Sequence, residues 1–417
     1  MRYRHFSCLA AAALLASLPA RAAHAGGLGS LLPMSVPGFG TAPGVSARSR
    51  LYRGDLPVPV APLAAAGLEI FPRLTTAAGL DTAPASGAPA TATASLRPEI
   101  RLLDQDLGLA GFAAVTLDRY ARDPAANANR LTTALGLALP FGPDRLTLGV
   151  AHVDAAETAL GLAADGGAAP LDVTTDSARA GLRLGLGALD AAGSIAFDGE
   201  RVSGTAAAAT GFRSRQGLRA ELRLENAAPA PLRALLMLRA GTVRYPGSVP
   251  GGIVADSSSL DALAGIVTDP RAIWRLRVIA GAERTRYGAG GPASGIAAIG
   301  DVAVEWTPDD LIAVALDLSR RAGQDAGFGS PGSMLTTERL GLAGSYSRSL
   351  LLTLDVAARQ GRIAGHAAAE IDLAAGARWR LSRALSLRPS FRLAGRHNLP
   401  GAASRQLSLT LSLVWTP

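Results

Sequence analysis

Lysine is absent from this chain of 417 residues, and all 41 basic side chains are arginine. In a composition rich in Ala, Gly and Leu, that absence points to a GC-rich gene rather than to a phosphate-binding surface, which needs its charges gathered on one face. The formal charge of +8 therefore gives no reason to expect a nucleic-acid partner. Cysteine is nearly absent too. The single Cys8 precedes the apolar run Leu9 to Leu18, which follows Arg2 and Arg4 and leads to Ala23-His24-Ala25, so residues 1–25 read as a secretory signal for the Sec pathway. Removing it takes Arg2, Arg4 and Arg21 and lowers the formal charge from +8 to +5. An exported chain left without cysteine must be held by burial and hydrogen bonding alone. Beyond the signal, no apolar run reaches the ~18 to 20 residues of a membrane-spanning helix.

Histidine is equally scarce, with His152, His366 and His397 left in different segments. His152-Val153-Asp154 sits at the outer end of a strand and reads as a rim histidine, because catalytic work would need a partner acid and a water site from facing strands. No Cys/His metal spacing, phosphate loop or Gly-x-Ser-x-Gly elbow occurs. The expectation is a chain without catalytic residues, metal or cofactor.

What the chain does have is alternation. From Arg405 to Trp415, Leu407, Leu409, Leu411, Leu413 and Trp415 fall on one face of an extended chain and Ser408, Thr410, Ser412 and Val414 on the other. Such a closing strand, oily on one side and wet on the other, suits the lipid and lumen faces of an outer-membrane barrel. The pattern recurs. In Gln216 to Glu225, Leu218, Ala220, Leu222 and Leu224 oppose Arg219, Glu221, Arg223 and Glu225. A helix is the rival, since Ala, Leu, Arg and Glu are good helix formers, but winding this segment would scatter its charges around the cylinder. Extension separates them completely.

Segments of this kind predict an all-β, closed antiparallel transmembrane barrel of about 18 strands over residues 67–417, with 16 as the alternative. Short links such as Pro140-Phe141-Gly142-Pro143, Leu189-Asp190 and Thr307-Pro308-Asp309-Asp310 alternate with long ones such as Ala155 to Thr175, Arg321 to Leu335, Gly361 to His366 and His397 to Ser404. Short periplasmic turns and longer extracellular loops put both termini in the periplasm. Residues 26–66, crowded with Pro and Gly and without a useful period, read as a periplasmic leader; entry of part of it into the barrel as a plug is the alternative.

The polar face supplies the candidate site. Arg219, Arg223, Arg275, Arg277, Arg378, Arg380, Arg388, Arg392 and Arg396 share it with Glu221, Glu225, Glu370 and Asp372. Two readings stand side by side. One is a ladder of cross-strand ion pairs stiffening the wall, each contributing roughly 0.2 to 1 kcal/mol; the other is a positively biased lumen whose guanidinium groups bind carboxylates or phosphates of a passing glycan. The bias looks strongest in the last two hairpins, so charge reversal at Arg388 and Arg392 is expected to lower anion preference.

Leu68-Glu69-Ile70-Phe71-Pro72-Arg73-Leu74 with Gly79-Leu80-Asp81, then Leu96-Arg97-Pro98-Glu99-Ile100, the turn Glu305-Trp306-Thr307-Pro308-Asp309-Asp310-Leu311 and the turn Trp379 to Leu387 resemble the outer-membrane β-barrel porin family found with capsule and exopolysaccharide genes. Asp81-Thr82-Ala83-Pro84 departs from the acidic, Asn-rich turn common there, and Thr416 and Pro417 follow the terminal aromatic. The resemblance implies an outer-membrane conduit serving polysaccharide export or assembly, with a diffusion porin for small anions as the other candidate. The expected partners are outer-membrane lipid and lipopolysaccharide, the barrel-assembly machinery through the C-terminal strand, a secreted polysaccharide and periplasmic export components.

Overall fold

The computed structural model describes residues 36–37, 39, 63–65, 68–82, 90–122, 124, 127–156, 172–203, 214–226, 231–246, 256–268, 273–288, 291, 293–309, 311–322, 334–363, 366–397 and 404–417. Residues 1–25, read as a signal, lie outside them. The described elements are strands: β1 (Leu63–Ala65), β2 (Leu68–Asp81), β3 (Thr91–Asp104), β4 (Leu109–Tyr120), β5 (Ala128–Phe141), β6 (Asp144–Ala156), β7 (Asp172–Leu186), β8 (Leu189–Ser203), β9 (Arg215–Asn226), β10 (Leu232–Arg244), β11 (Ser257–Thr268), β12 (Trp274–Tyr287), β13 (Gly295–Trp306), β14 (Ile312–Ala322), β15 (Met334–Ser345), β16 (Leu350–Ile363), β17 (His366–Arg380), β18 (Leu385–His397) and β19 (Ser404–Trp415). Each from β2 to β19 pairs antiparallel with its chain neighbours, and β19 pairs back onto β2 from Ser408↔Asp81 to Trp415↔Leu74. The result is a closed barrel of 18 strands.

Closure is what the lipid demands, since an unpaired backbone group in hydrocarbon costs several kcal/mol. At the seam, Gln406 Nε2 donates to Asp81 at 3.0 Å and Leu407 N donates to Thr82 Oγ1 at 2.9 Å. Below the end of β19, residues Leu68 to Ile70 of β2 would have a bare edge. Instead β1 folds back on them, Leu63↔Ile70 to Ala65↔Leu68.

The alternation read from sequence sets the two faces. Leu409, Leu411, Leu413 and Trp415 are exposed on the outside while Ser412 and Val414 are buried inside, and the same parity runs through Leu218 and Leu222 against Arg223 and Glu225. Two-residue turns close β5–β6 and β7–β8, and their first central residues, Gly142 and Gly187, have φ of 67° and 70°. Only glycine takes that conformation without strain, and its hand matches the strand twist. These turns and both ends of the barrel chain lie at one rim. The opposite rim carries the longer links, with one correction: the link predicted as long from Gly361 to His366 is two residues, because β16 runs to Ile363 and β17 begins at His366.

Two further expectations are revised. The inner face is not uniformly wet, for Leu235, Met237, Leu263, Ile279 and Ile299 of β10 to β13 point inward as a buried apolar cluster. And within residues 26–66, read as a leader with entry into the barrel as the alternative, the described Val36, Pro37 and Phe39 lie in the interior. Val36 and Phe39 pack with Phe112, Ala114, Ala134, Ala151 and Val153 on the inner faces of β4, β5 and β6.

Candidate functional site: the charged and partly filled lumen

Neighbours on the inner face, directly opposite, diagonal or two residues apart on one strand, carry opposite charges. Arg239 Nε donates to Glu221 at 2.9 Å, Arg277 pairs with Asp301 at 2.7 Å, Arg339 with Asp355 at 3.0 Å, and Arg275 with Glu305. Arg392 forks onto both oxygens of Asp372 at 2.8 to 3.1 Å, and Arg215 onto both of Glu200 at 2.7 and 2.8 Å. Glu225 is shared by Arg223 at 2.5 Å and Arg233 at 2.7 Å, and Glu370 faces Arg359 at 3.8 Å. The inward residues singled out from sequence are thus brought into a ladder, but mostly with partners that were not singled out: Arg233, Arg239, Asp301, Glu305 and Arg359. Those partners sit on β10, β13 and β16, where inward charges are interrupted by apolar residues and the alternation of charge is harder to see.

The last hairpins differ from expectation. Arg392 is held by Asp372, Arg388 is buried at 5% exposure, and Arg380 Nη2 donates to the Arg348 carbonyl at 3.0 Å. These arginines serve the wall. The backbone of Arg396 belongs to β18, while its side chain falls outside the described residues. The excess of positive charge gathers instead across the seam. Glu99, 5% exposed on β3, accepts from Arg101 Nε at 2.7 Å and Nη2 at 2.5 Å, and lies 3.9 Å from both Arg73 and Arg97. Arg378 of β17 is within electrostatic reach of Arg73. Arg73, Arg97 and Arg101 were legible as alternating residues, yet their convergence needed the β2–β3 register that sets Arg73 opposite Glu99.

Arg219 is the exception in the ladder. It is exposed to the lumen and has no hydrogen bond or ion pair with any described residue. Arg321, 57% exposed at the side chain, reaches Asp301 only at 3.8 Å.

The filled part of the lumen is built around two small positions. Val36 to Phe39 form a turn in which Phe39 N donates to the Val36 carbonyl at 3.1 Å, with Pro37 presetting the second position. A Cβ added at Gly149 would meet the Pro37 carbonyl oxygen at 2.6 Å and the Phe39 ring at 2.7 Å, and one at Gly136 would collide with Pro37. Glycine at both places leaves the socket. The Arg179 guanidinium lies 5.1 Å from the Phe39 ring centroid, closing its polar side.

His152 points outward, near the rim with long links. Its Nδ1 is 2.8 Å from Asp176, its Nε2 3.4 Å from Asp154, and Asp176 also accepts from Arg201 at 3.1 Å. Asp154 was legible beside His152, and the structure supplies the facing-strand acid, Asp176, that sequence reasoning could not, through the His152↔Asp176 register. Among the described residues no hydroxyl is hydrogen-bonded to the ring, and no cluster of His, Cys, Asp and Glu could hold a metal. The side chains of His366 and His397 fall outside the described residues.

Solved structures similar to this chain include a porin, an outer membrane protein and an iron transporter. A BenF-like porin from Pseudomonas fluorescens Pf-5 aligns at 9% identity and TM-score 0.47, covering 84% of this chain and 99% of that one. The outer membrane protein opdK from Pseudomonas aeruginosa aligns at 13% identity and TM-score 0.46, with 84% and 99% covered. The FrpB iron transporter from Neisseria meningitidis gives 10% identity and TM-score 0.43, with 85% of this chain and 64% of that one. No curated protein matches. The family model described as Putative beta-barrel porin 2 matches residues 70–415, nearly the whole barrel from β2 to β19. The chain is a porin-like outer-membrane conduit and belongs to the Putative beta-barrel porin 2 family.

Proposed function

We propose that this barrel is an anion-preferring conduit through which an acidic exopolysaccharide leaves the cell, with a small carboxylated or phosphorylated solute as the second reading. The observation that carries the charge preference is the convergence of Arg73, Arg97 and Arg101 on the one carboxylate of Glu99. Guanidinium forks match carboxylate and phosphate geometry. A wall of 18 strands encloses a lumen of porin width unless something fills it. The polymer reading leans on the resemblance to barrels found with capsule and exopolysaccharide genes; the small-anion reading leans on the wall charge alone.

In this reading residues 1–25 are removed after Sec export, the short-turn rim and both termini are periplasmic, β19 addresses the barrel-assembly machinery, and periplasmic partners deliver the polymer. Short periplasmic turns are the habit of outer-membrane barrels. Because Cys8 is the only cysteine, single labels are clean. A membrane-impermeant thiol reagent should modify Gly291→Cys on intact cells and leave Arg383→Cys untouched until the outer membrane is permeabilised. The reverse pattern inverts the barrel.

Selectivity is tested on two exposed lumen arginines, Arg219 and Arg321, the second held only at 3.8 Å by Asp301. Arg219→Glu with Arg321→Glu should move the reversal potential in a salt gradient toward cations, lowering the anion-to-cation permeability ratio several-fold. Arg388 and Arg392 are unsuitable for this, being embedded in the wall. An unmoved potential would remove the proposed anion preference. Gene deletion separates the two substrates: loss of surface polysaccharide with small-anion uptake intact supports the polymer, and the converse supports the small solute.

A further inference from the structure

The two rims of the outer face are chemically different. Among the described residues, the strand arginines that point outward are Arg119, Arg201, Arg244, Arg284, Arg286 and Arg320, and each lies in the last four residues of its strand at the rim with long links. The 4 tryptophans of the sequence, Trp274, Trp306, Trp379 and Trp415, all point outward at the short-turn rim. Trp274 and Trp306 stack there with centroids 5.5 Å apart. Aromatic rings suit an ordinary lipid–water interface, whereas a row of bare guanidinium groups calls for phosphate.

Two of the six arginines are used by the protein: Arg201 binds Asp176 at 3.1 Å and Arg119 binds Asn129 at 2.9 Å. The other four are not. Arg244, Arg284, Arg286 and Arg320 are exposed and have neither a hydrogen bond nor an ion pair with any described residue. They occupy β10, β12 and β14, every second strand, so successive columns stand about 10 Å apart at a strand spacing of ~4.8 Å. Register places Ser258 between Thr242 and Arg286, adding a hydroxyl to the patch. Glu338 on the bordering β15 is exposed but makes no ion pair with Arg320 among the described residues. The same face is greasy beside and beneath them, with Leu260 and Ile296 exposed on either side of Arg284 and Leu318 exposed two residues inward from Arg320. Cations above an apolar surface match a lipid that carries phosphates above acyl chains.

We propose that Arg244, Arg284, Arg286 and Arg320 form a binding site for the phosphates of a phosphorylated saccharolipid seated against the outer face of β10 to β14. Several guanidinium groups can engage two phosphates at once, holding the lipid as an annular component of the barrel. The site rests on the proposed orientation for its place in the outer leaflet, though its binding chemistry can be measured without it.

The test uses the full protein in neutral detergent, with bisphosphorylated lipid A, dephosphorylated lipid A and inorganic phosphate as probes, read by native mass spectrometry and titration. The parent should bind the bisphosphorylated lipid, and the variant Arg244→Gln/Arg284→Gln/Arg286→Gln/Arg320→Gln should bind it roughly 600-fold more weakly, at about fivefold for each of the four arginines. Lysine at the same four positions should recover most of the affinity, and the lumen variant Arg219→Glu/Arg321→Glu should leave it unchanged. Equal binding of the dephosphorylated lipid, or an unaffected glutamine variant, would overturn the site. Inorganic phosphate binding as tightly as the lipid would overturn the saccharolipid as its occupant. Inverted thiol labelling with lipid binding intact would sink the orientation and spare the site.

Discussion

Phe39→Ala should open the barrel. Phe39 is 1% exposed in its socket, and truncating a buried phenylalanine costs about 3–5 kcal/mol. At 1.4 kcal/mol per tenfold, the docked state of the Val36 to Phe39 turn loses about two to three and a half orders of magnitude against the released one. In planar bilayers the variant should show larger and more persistent open current than the parent. Gly149→Leu approaches the same contact from the wall, since its side chain would occupy the place of the Phe39 ring, 2.7 Å from the glycine's Cβ direction. Both variants should also become sensitive to protease at the leader while the barrel stays folded on a cold gel. Identical single-channel currents in parent and both variants would show that the turn does not obstruct conduction.

The second large effect is on stability. Glu99→Gln leaves Arg73, Arg97 and Arg101 converging on a neutral amide in a buried part of the wall. Breaking a buried ion pair from one side costs about 3–5 kcal/mol, because the partner charge stays desolvated and unbalanced. The measurable result is a lower urea midpoint for the folded barrel in detergent and a lower temperature for loss of its compact gel mobility. Glu338→Gln, exposed and unpaired on the outer face, should move neither. Adding Arg97→Gln to Glu99→Gln should recover part of the loss by removing one of the three cations. If Glu99→Gln proved as stable as the parent, the carboxylate would not be holding this cluster together.

Much of the wall was written in local pattern. Leu407 to Trp415, Gln216 to Glu225 and Trp274 to Glu283 declare which side chain faces lipid because a strand repeats every two residues, a fact independent of its neighbours. Turn chemistry was equally local at Gly142, whereas the link expected at Leu189-Asp190 falls two residues earlier, at Gly187 and Ala188, and Leu189 opens β8. The link between β16 and β17 was misjudged because Gly361 and Gly365 look like loop material, yet the strands extend nearly to meet each other. Partner choice along the ladder was not local. Glu221 has Arg219 and Arg223 two residues away on its own strand and binds Arg239 across the pair instead.

The amino-acid sequence by itself determined that this chain is a membrane-spanning antiparallel barrel with a charged inner face, because period-two alternation and the prohibition on open edges in lipid leave no other arrangement. Only the tertiary structure decided that Val36 and Phe39 sit inside, that Glu99 gathers three arginines, and that the outward arginines collect at one rim. Those outcomes depend on register and closure, which bring together residues far apart in the chain, and no single strand carries that information.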